Sequence, residues 1–479
     1  MRILFYLNGD FVEAEVRVGQ TALDFLREER GLTGAKEACN EGDCGACVIA
    51  LGELIHDSVR YRAFNSCLLP AVRLHGKHVV SVEGLIEHNA LHPVQQAMLE
   101  EHAVQCGFCT SGIVMSLFCL FLANPTPTPG EIARALDGSL CRCTGYAPIL
   151  KAAYSISSRC GHNTDFGKRI RPAYFDSIGR KALEAIASVP TFSNEAVYHA
   201  PRTVADLLSL LSSNGSSPVP TLLNGGTDLM VEVNQGKRAI ETVIDISFMK
   251  DLREIAHNDA HLSIGARTTL TDVLESQIVC ERFPALAEAI RQMCSTPVRN
   301  GATLIGNICT ASPIADTIPP LLVYNAIVNL ESTRGKRRIP LKDFFQGYRK
   351  TAIERGEIVT AVEVPFDECL SSFEKTSKRK TLDIASVNSA LALQVSNNII
   401  THACYVLGGV AAVPFLAEKS CDYLNGKEPS EGTIAEAARI AADEITPIDD
   451  VRGSAEFRRE LAANHLIKHF VKLMPSLFA

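Results

Sequence analysis

The stretch Cys106-Gly107-Phe108-Cys109-Thr110 is followed, after an apolar helical segment, by Cys141-Arg142-Cys143-Thr144-Gly145-Tyr146. Two close cysteine pairs about thirty residues apart can converge as four thiolates on one metal centre, and the second pair has the uncommon C-x-C spacing. Four thiolates suit either zinc or iron with sulfide, and this stretch alone leaves both open.

Towards the N-terminus a second set narrows the choice. Cys39, Cys44, Cys47 and Cys67 follow the C-x4-C-x2-C…C spacing of a plant-type [2Fe-2S] loop. Gly42, Gly45 and Ala46 stand between the ligands, so the backbone can wrap closely and turn N–H groups toward bridging sulfides. This set favours iron and sulfide over structural zinc.

Around these motifs the chain reads as several domains. Its 479 residues are 46% hydrophobic, enough for ordinary globular cores. A net charge of −7 argues against nucleic acid or an anionic membrane as a general partner. The basic clusters Arg334 to Arg338 and Lys378 to Lys380 read as solvated surface or as local contacts for a phosphate-bearing ligand. The N-terminus lacks the apolar core of a secretory signal, and the longest apolar run, Gly112 to Ala123, is too short to span a bilayer. A cytoplasmic protein is expected. In a reducing compartment sixteen cysteines argue for metal ligation rather than disulfides. Cys119, Cys160, Cys280, Cys294, Cys309, Cys369, Cys404 and Cys421 are scattered and read as small core or surface residues.

Ile3 to Val16 alternates around Asn8-Gly9-Asp10, a hairpin signal, and Thr21 to Arg30 places Leu23 and Leu26 on one helical face. From His92 the pattern turns helical, with Pro93 suited to a first turn and a capping box at Thr128-Pro129-Gly130-Glu131. Ser157 to Thr191 reads as a linker with a helical segment near Lys181 to Ala187. Beyond it helical and strand segments alternate. Gly225-Gly226-Thr227-Asp228 follows a short apolar strand, where a glycine backbone could approach a pyrophosphate or simply turn. It is no Rossmann fingerprint. Thr303 to Asp316 gathers a glycine, amides, hydroxyls and one acid, groups able to meet phosphate and ribose. The chain ends in an amphipathic helix, Glu460 to Met474.

Together these motifs resemble the electron-transfer half of the xanthine dehydrogenase and aldehyde oxidase family of molybdenum hydroxylases, along nearly the whole chain. The resemblance implies a multidomain α+β architecture. Residues 1–86 would form a ferredoxin-like [2Fe-2S] β-grasp domain and 87–156 a four-helix [2Fe-2S] domain. Residues 157–191 would be the linker, 192–365 a two-part α+β FAD-binding domain, and 366–479 an α+β flavoprotein C-terminal domain. Phe344 to Thr351, Leu382 to Asn388 and Asp450 to Arg458 resemble further family segments.

The implied flavin contacts are Leu222, Leu223, Asn224, Gly225, Gly226, Thr227, Asp228 and Leu229 in a first dinucleotide loop, and Thr303, Leu304, Ile305, Gly306 and Asn307 in a second. Asp316, Met293, Val359 and Lys375 complete the set; without the resemblance Lys375 would read as a solvated lysine. Ile305 replaces a family glycine, Met293 an aromatic residue and Ser139 an asparagine, departures that bear on flavin geometry and cofactor tuning.

A two-electron oxidation can be joined to a two-electron acceptor by one-electron clusters and a flavin. The resemblance implies electrons passing from a molybdenum cofactor on a separate large subunit through the Cys106 set, the Cys39 set and FAD to NAD, as hypoxanthine and xanthine are oxidised to urate. Gln105 would contact the pterin of the partner's cofactor. No catalytic acid, base or nucleophile is expected in this chain, the molybdenum domains are expected on the separate subunit, and a dimer of heterodimers is expected. Two alternatives stay open: a small chain of an aldehyde or N-heterocycle hydroxylase, and a zinc-stabilised interaction protein.

Overall fold

Asn8, at φ 54°, and Gly9 turn the chain between β1 (Arg2–Leu7) and β2 (Asp10–Glu15), which pair antiparallel with Leu7 opposite Asp10. In this computed structural model, which describes residues 1–55, 58–189, 197–213 and 220–478, they open a five-stranded sheet. Its order is β2-β1-β5-β3-β4, with β3 Val48–Ile55, β4 Ser58–Asn65 and β5 His78–Val80. β5 runs parallel to β1. Thr21 caps a helical turn, Ala22–Asp24, that continues as a π-helix over Phe25–Glu29 and buries Leu23, Phe25 and Leu26.

The period-two pattern of β3 divides its side chains between two cores. Ile49 and Leu51 join Ile3, Phe5 and Phe25, whereas Val48 and Ala50 join the helices that follow. Those helices are Pro93–Glu100, Thr110–Ala123, Pro129–Ala135 and Ala147–His162. The capping box at Thr128 is formed, with the Glu131 amide donating to Thr128 Oγ1 at 3.3 Å. Thr110–Ala123 is buried from Ser111 to Cys119, so its sequence is apolar all round rather than striped.

Much of the stretch read as a linker is ordered. The last helix of the four runs to His162, short helices follow at Thr164–Lys168 and Ala173–Asp176, and the expected helix covers Arg180–Ala187. Phe175, fully buried, stacks on Tyr61 of β4 with ring centroids 4.6 Å apart. The expected boundary at 191/192 lies outside the described residues.

By contacts the chain forms two units. The first comprises residues 1–201, 216–248 and 295–301. Besides the parts above it holds a parallel sheet of order β6-β8-β7, from β6 (Tyr198–His199), β7 (Thr221–Leu223) and β8 (Val243–Asp245). Leu223, Met230 and Val243 share the core of the β-grasp sheet, so the stretch expected to form the first dinucleotide loop is built onto that sheet.

The second unit comprises residues 202–215, 249–294 and 302–479. Its five-stranded antiparallel sheet runs Gly335–Pro340, Ile327–Ser332, Ile358–Pro365, His261–Gly265, Ile255–His257. A four-stranded sheet, Leu370–Thr376, Val387–Ser396, Ile399–Gly408 and Phe415–Leu416, carries the helices Glu418–Leu424, Glu431–Glu444 and Ala455–Leu473. The last begins before the sequence reading placed it, because Ser454 caps it by accepting from the Phe457 amide at 3.1 Å. Among the described residues no helix is long and apolar enough to cross a membrane.

Candidate iron–sulfur and flavin centres

Asn40, Gly42 and Gly45 all take positive φ, which bends the Cys39–Cys47 loop tightly enough to bring its thiols inward. Asn65 fixes the loop by donating to the Gly42 carbonyl at 2.9 Å, and Ser66 Oγ donates to the Cys47 carbonyl at 2.7 Å. The thiols meet in pairs. Cys47 and Cys67, both buried, have sulfurs 3.4 Å apart. Cys39 accepts from the Cys44 thiol, and that bond, with amides of the same loop, holds Cys39 down at about 5 against its burial.

The second set repeats the pairing. Gly107 and Gly145 take positive φ, and the sulfurs of exposed Cys106 and Cys143 lie 3.5 Å apart. Cys109 pairs with Cys141. Burial would raise Cys141, yet the Thr144 hydroxyl at 3.1 Å and the amides of Thr144 and Cys143 bring it to about 7. Tyr146 braces the turn, accepting from the Cys141 amide at 2.8 Å and donating to the Ser139 carbonyl.

Two thiolates on one tetrahedral metal, each about 2.3 Å from it, sit roughly 3.8 Å apart. The Cys47–Cys67 and Cys106–Cys143 separations, 3.4 and 3.5 Å, are close to that spacing. Among the described residues no group of three or more His, Cys, Asp or Glu is gathered to hold a single ion. Two thiols per iron and two irons per set is the demand of a [2Fe-2S] cluster, so the donor sets fit two such clusters better than two zinc ions.

The two loops touch. The Leu140 amide, one residue before Cys141, donates to the carbonyl of Cys44 at 2.9 Å. Gly112 and Gly45 permit this approach: a Cβ on Gly112 would stand 1.9 Å from the Gly45 carbonyl oxygen, and one on Gly45 would stand 2.3 Å from that of Gly138. Asp137 and Arg299, a buried pair at 3.1 Å, pin the same turn to residues 295–301.

At the first dinucleotide loop Arg73 donates to the carbonyls of Gly225 at 3.0 Å, Leu223 at 3.4 Å and Asn224. Its guanidinium also pairs with fully buried Asp245 at 2.9 Å, and Tyr198 donates to the same carboxylate. With the carbonyls drawn to Arg73, the amides of Gly225, Gly226 and Thr227 donate to nothing among the described residues. Consecutive free amides beside a glycine at φ 81° make a concavity suited to phosphate oxygens, which fits a dinucleotide.

The other expected flavin residues lie in the second unit. Thr303 caps Leu304–Thr310 by accepting from the Gly306 amide at 3.1 Å, while Leu304 and Ile305 turn their side chains into the core and can offer only backbone. Asp316 and Lys375 come together at 2.7 Å, Asn388 donates to the other Asp316 oxygen at 2.7 Å, and Lys375 also reaches the Gln292 carbonyl, next to Met293. Lys375 is thus a buried partner rather than a solvated lysine. Burial pushes the Asp316 carboxyl up against the pull of Lys375 and Asn388. The buried Asn388 Oδ1 has no hydrogen-bond partner. Val359 is buried on Ile358–Pro365.

Sequence reasoning missed Arg73, Asp245, Asn234 and Leu140, whose partners are remote in the chain and carry no motif. Gly112 did leave a signal: a glycine inside an apolar helix costs about 1 kcal/mol against alanine and marks close approach.

Four family descriptions match in chain order: a 2Fe-2S iron-sulfur cluster binding domain over 5–71, a [2Fe-2S] binding domain over 81–154, the FAD binding domain in molybdopterin dehydrogenase over 190–367, and the CO dehydrogenase flavoprotein C-terminal domain over 372–473. Xanthine dehydrogenase of Emericella nidulans is 31% identical over all of this chain, and aldehyde oxidase 2 of Macaca fascicularis 30% identical over 99%. In both cases the match spans 39% of the relative's length. Carbon monoxide dehydrogenase of Hydrogenophaga pseudoflava has a solved chain 30% identical, with TM-score 0.54, sharing 58% of this chain and 96% of that one. Two [2Fe-2S] domains and an FAD-binding domain define an iron–sulfur/flavin electron-transfer part. The chain belongs to the molybdenum hydroxylase family and corresponds to its iron–sulfur/FAD part.

Proposed function

We propose that this chain is the electron-transfer component of a xanthine dehydrogenase, carrying electrons from a molybdenum-cofactor subunit by way of the Cys106/Cys109/Cys141/Cys143 and Cys39/Cys44/Cys47/Cys67 sets to FAD and NAD. The observation that carries it is the hydrogen bond from the Leu140 amide to the Cys44 carbonyl, which puts backbone from the two ligand loops in direct contact. Bound clusters supply one-electron steps and the flavin converts them to a two-electron transfer. FAD contacts are assigned to 222–229 in the first unit, and to Met293, 303–307, Asp316, Val359 and Lys375 in the second. We assign the chain to a reducing, cytoplasmic compartment, the setting in which ligand thiols stay available to iron rather than pairing as disulfides.

The partner is assigned to the exposed edge of the second set. Cys106 and Cys143 lie at the surface beside Phe108, 46% exposed, and Leu140, 43% exposed, with Gln105 also exposed. Apolar side chains around solvent-facing ligands suit a protein surface that excludes water there. Two copies of each chain would form the assembly. The aldehyde oxidase relative, one percentage point less identical than the xanthine dehydrogenase, favours a second reading in which the partner oxidises aldehydes.

Affinity purification of the tagged chain from its native cells tests this. A co-purifying molybdenum protein that reduces NAD with hypoxanthine or xanthine supports the proposal. Aldehyde oxidation without purine oxidation supports the second reading, and a chain that remains alone and oxidises purines itself excludes both.

A further inference from the structure

The helix Leu229–Asn234, which follows the first dinucleotide loop, ends against the ligand loop of the Cys39 set. Asn234 Nδ2 donates to two backbone carbonyls, that of Cys67 at 2.9 Å and that of Asn40 at 3.0 Å. Cys67 is one of the four thiols, and Asn40 follows another. Next to Asn234, Gln235 donates to Glu41 Oε1 at 2.6 Å. At the other end of this stretch Arg73, six residues after Cys67, holds the carbonyls of 223–225. The two anchorages close a small ring: from Cys67 along the chain to Arg73, across to the loop, along the loop and helix to Asn234, and back to Cys67.

A carboxamide nitrogen carries two N–H donors, and both are used here; aspartate or alanine at 234 could supply neither. Whatever orders one side of so short a ring restricts the other.

We propose that Asn234 is a positioning residue that couples the first iron–sulfur set to the first dinucleotide loop, so that cluster assembly strengthens flavin binding and bound flavin strengthens the cluster. The coupling rests on the reading that FAD contacts 222–229. Its physical source is conformational entropy: the group that binds first orders the ring, and the second loses less freedom on binding. The effect is reciprocal by thermodynamic linkage.

Flavin dissociation constants, read by fluorescence on the full chain, test the coupling in the wild type, Cys44→Ala, Asn234→Ala and the double variant. Cys44→Ala cannot complete the first cluster and is expected to weaken flavin binding about 10-fold. In the Asn234→Ala background the same change is expected to shift it less than about 2-fold. Amide exchange at 222–229 should quicken in both single variants. The paramagnetic signal of the Cys106 set, kept in all four proteins, reports that the chain is folded, and Asn234→Asp replaces Asn234→Ala where that variant does not fold. An equal effect of Cys44→Ala in both backgrounds, or none in the wild type, overturns the coupling and leaves the flavin assignment standing. Absence of flavin binding by the wild type overturns both.

Discussion

The carbonyl of Cys44 accepts the Leu140 amide at 2.9 Å, joining a residue of one thiol set to the neighbour of Cys141 in the other. Gly112 makes room for that contact. Gly112→Ala would place a methyl 1.9 Å from the Gly45 carbonyl oxygen, and is expected to destabilise the first unit by about 1–3 kcal/mol in urea unfolding and to slow electron exchange between the sets. Gly161→Ala is the control. Its nearest foreign atom lies at 3.6 Å in an ordinary helix, so about 0.5–1 kcal/mol of stabilisation is expected.

Thr144 Oγ1 lies 3.1 Å from Cys141 Sγ. A hydrogen bond to a ligand sulfur favours the reduced, more negative cluster. Thr144→Val is therefore expected to lower the potential of the second centre by on the order of tens of mV, with the first unchanged, in a titration followed by paramagnetic resonance.

His78 and His92 are buried in the first unit, and burial pulls each down to about 4 from the ordinary 6.5. The Asn8 and Ile170 carbonyls oppose the shift without cancelling it. The unfolded chain binds these protons more readily, so their contribution to stability is whole above pH 6.5 and is lost as the pH falls toward 4. The slope within that window is about 1.4 kcal/mol per pH unit for each ring. Urea midpoints measured from pH 7.5 to 4.5 should show it, and His78→Gln should remove one ring's share.

In the second unit Lys375 and Asp316 form a pair with side chains 4% and 9% exposed. Lys375→Met leaves the carboxylate without its countercharge and is expected to cost about 3–5 kcal/mol. Asp316→Asn added to it should restore much of the loss, which distinguishes an uncompensated charge from lost packing. Thermal unfolding of the three proteins checks it.

How much of this was legible in the sequence depended on the range of the interactions. Thiol spacing, the Asn8-Gly9 turn, the Thr128 capping box and the alternation of β3 are local, and the chain spells them out. Lys375 read alone as a solvated lysine because Asp316, its partner, is remote in sequence. The 157–191 stretch lacks a sustained apolar repeat, and only the helical segment carrying Leu183 is legible in it; Ile170, Phe175 and Ile178 are buried outside any repeat, which no periodicity reveals. The Arg73 and Asn234 contacts join residues more than 140 positions apart, and only the fold brings them together.

Quantitative paramagnetic resonance of the dithionite-reduced chain, loaded with iron and sulfide, tests the central claim most directly. Eight thiols meeting two by two should give about four irons per chain and two distinct signals of about one spin each. A single signal from fully loaded material, or two zinc ions with no acid-labile sulfide, would contradict it.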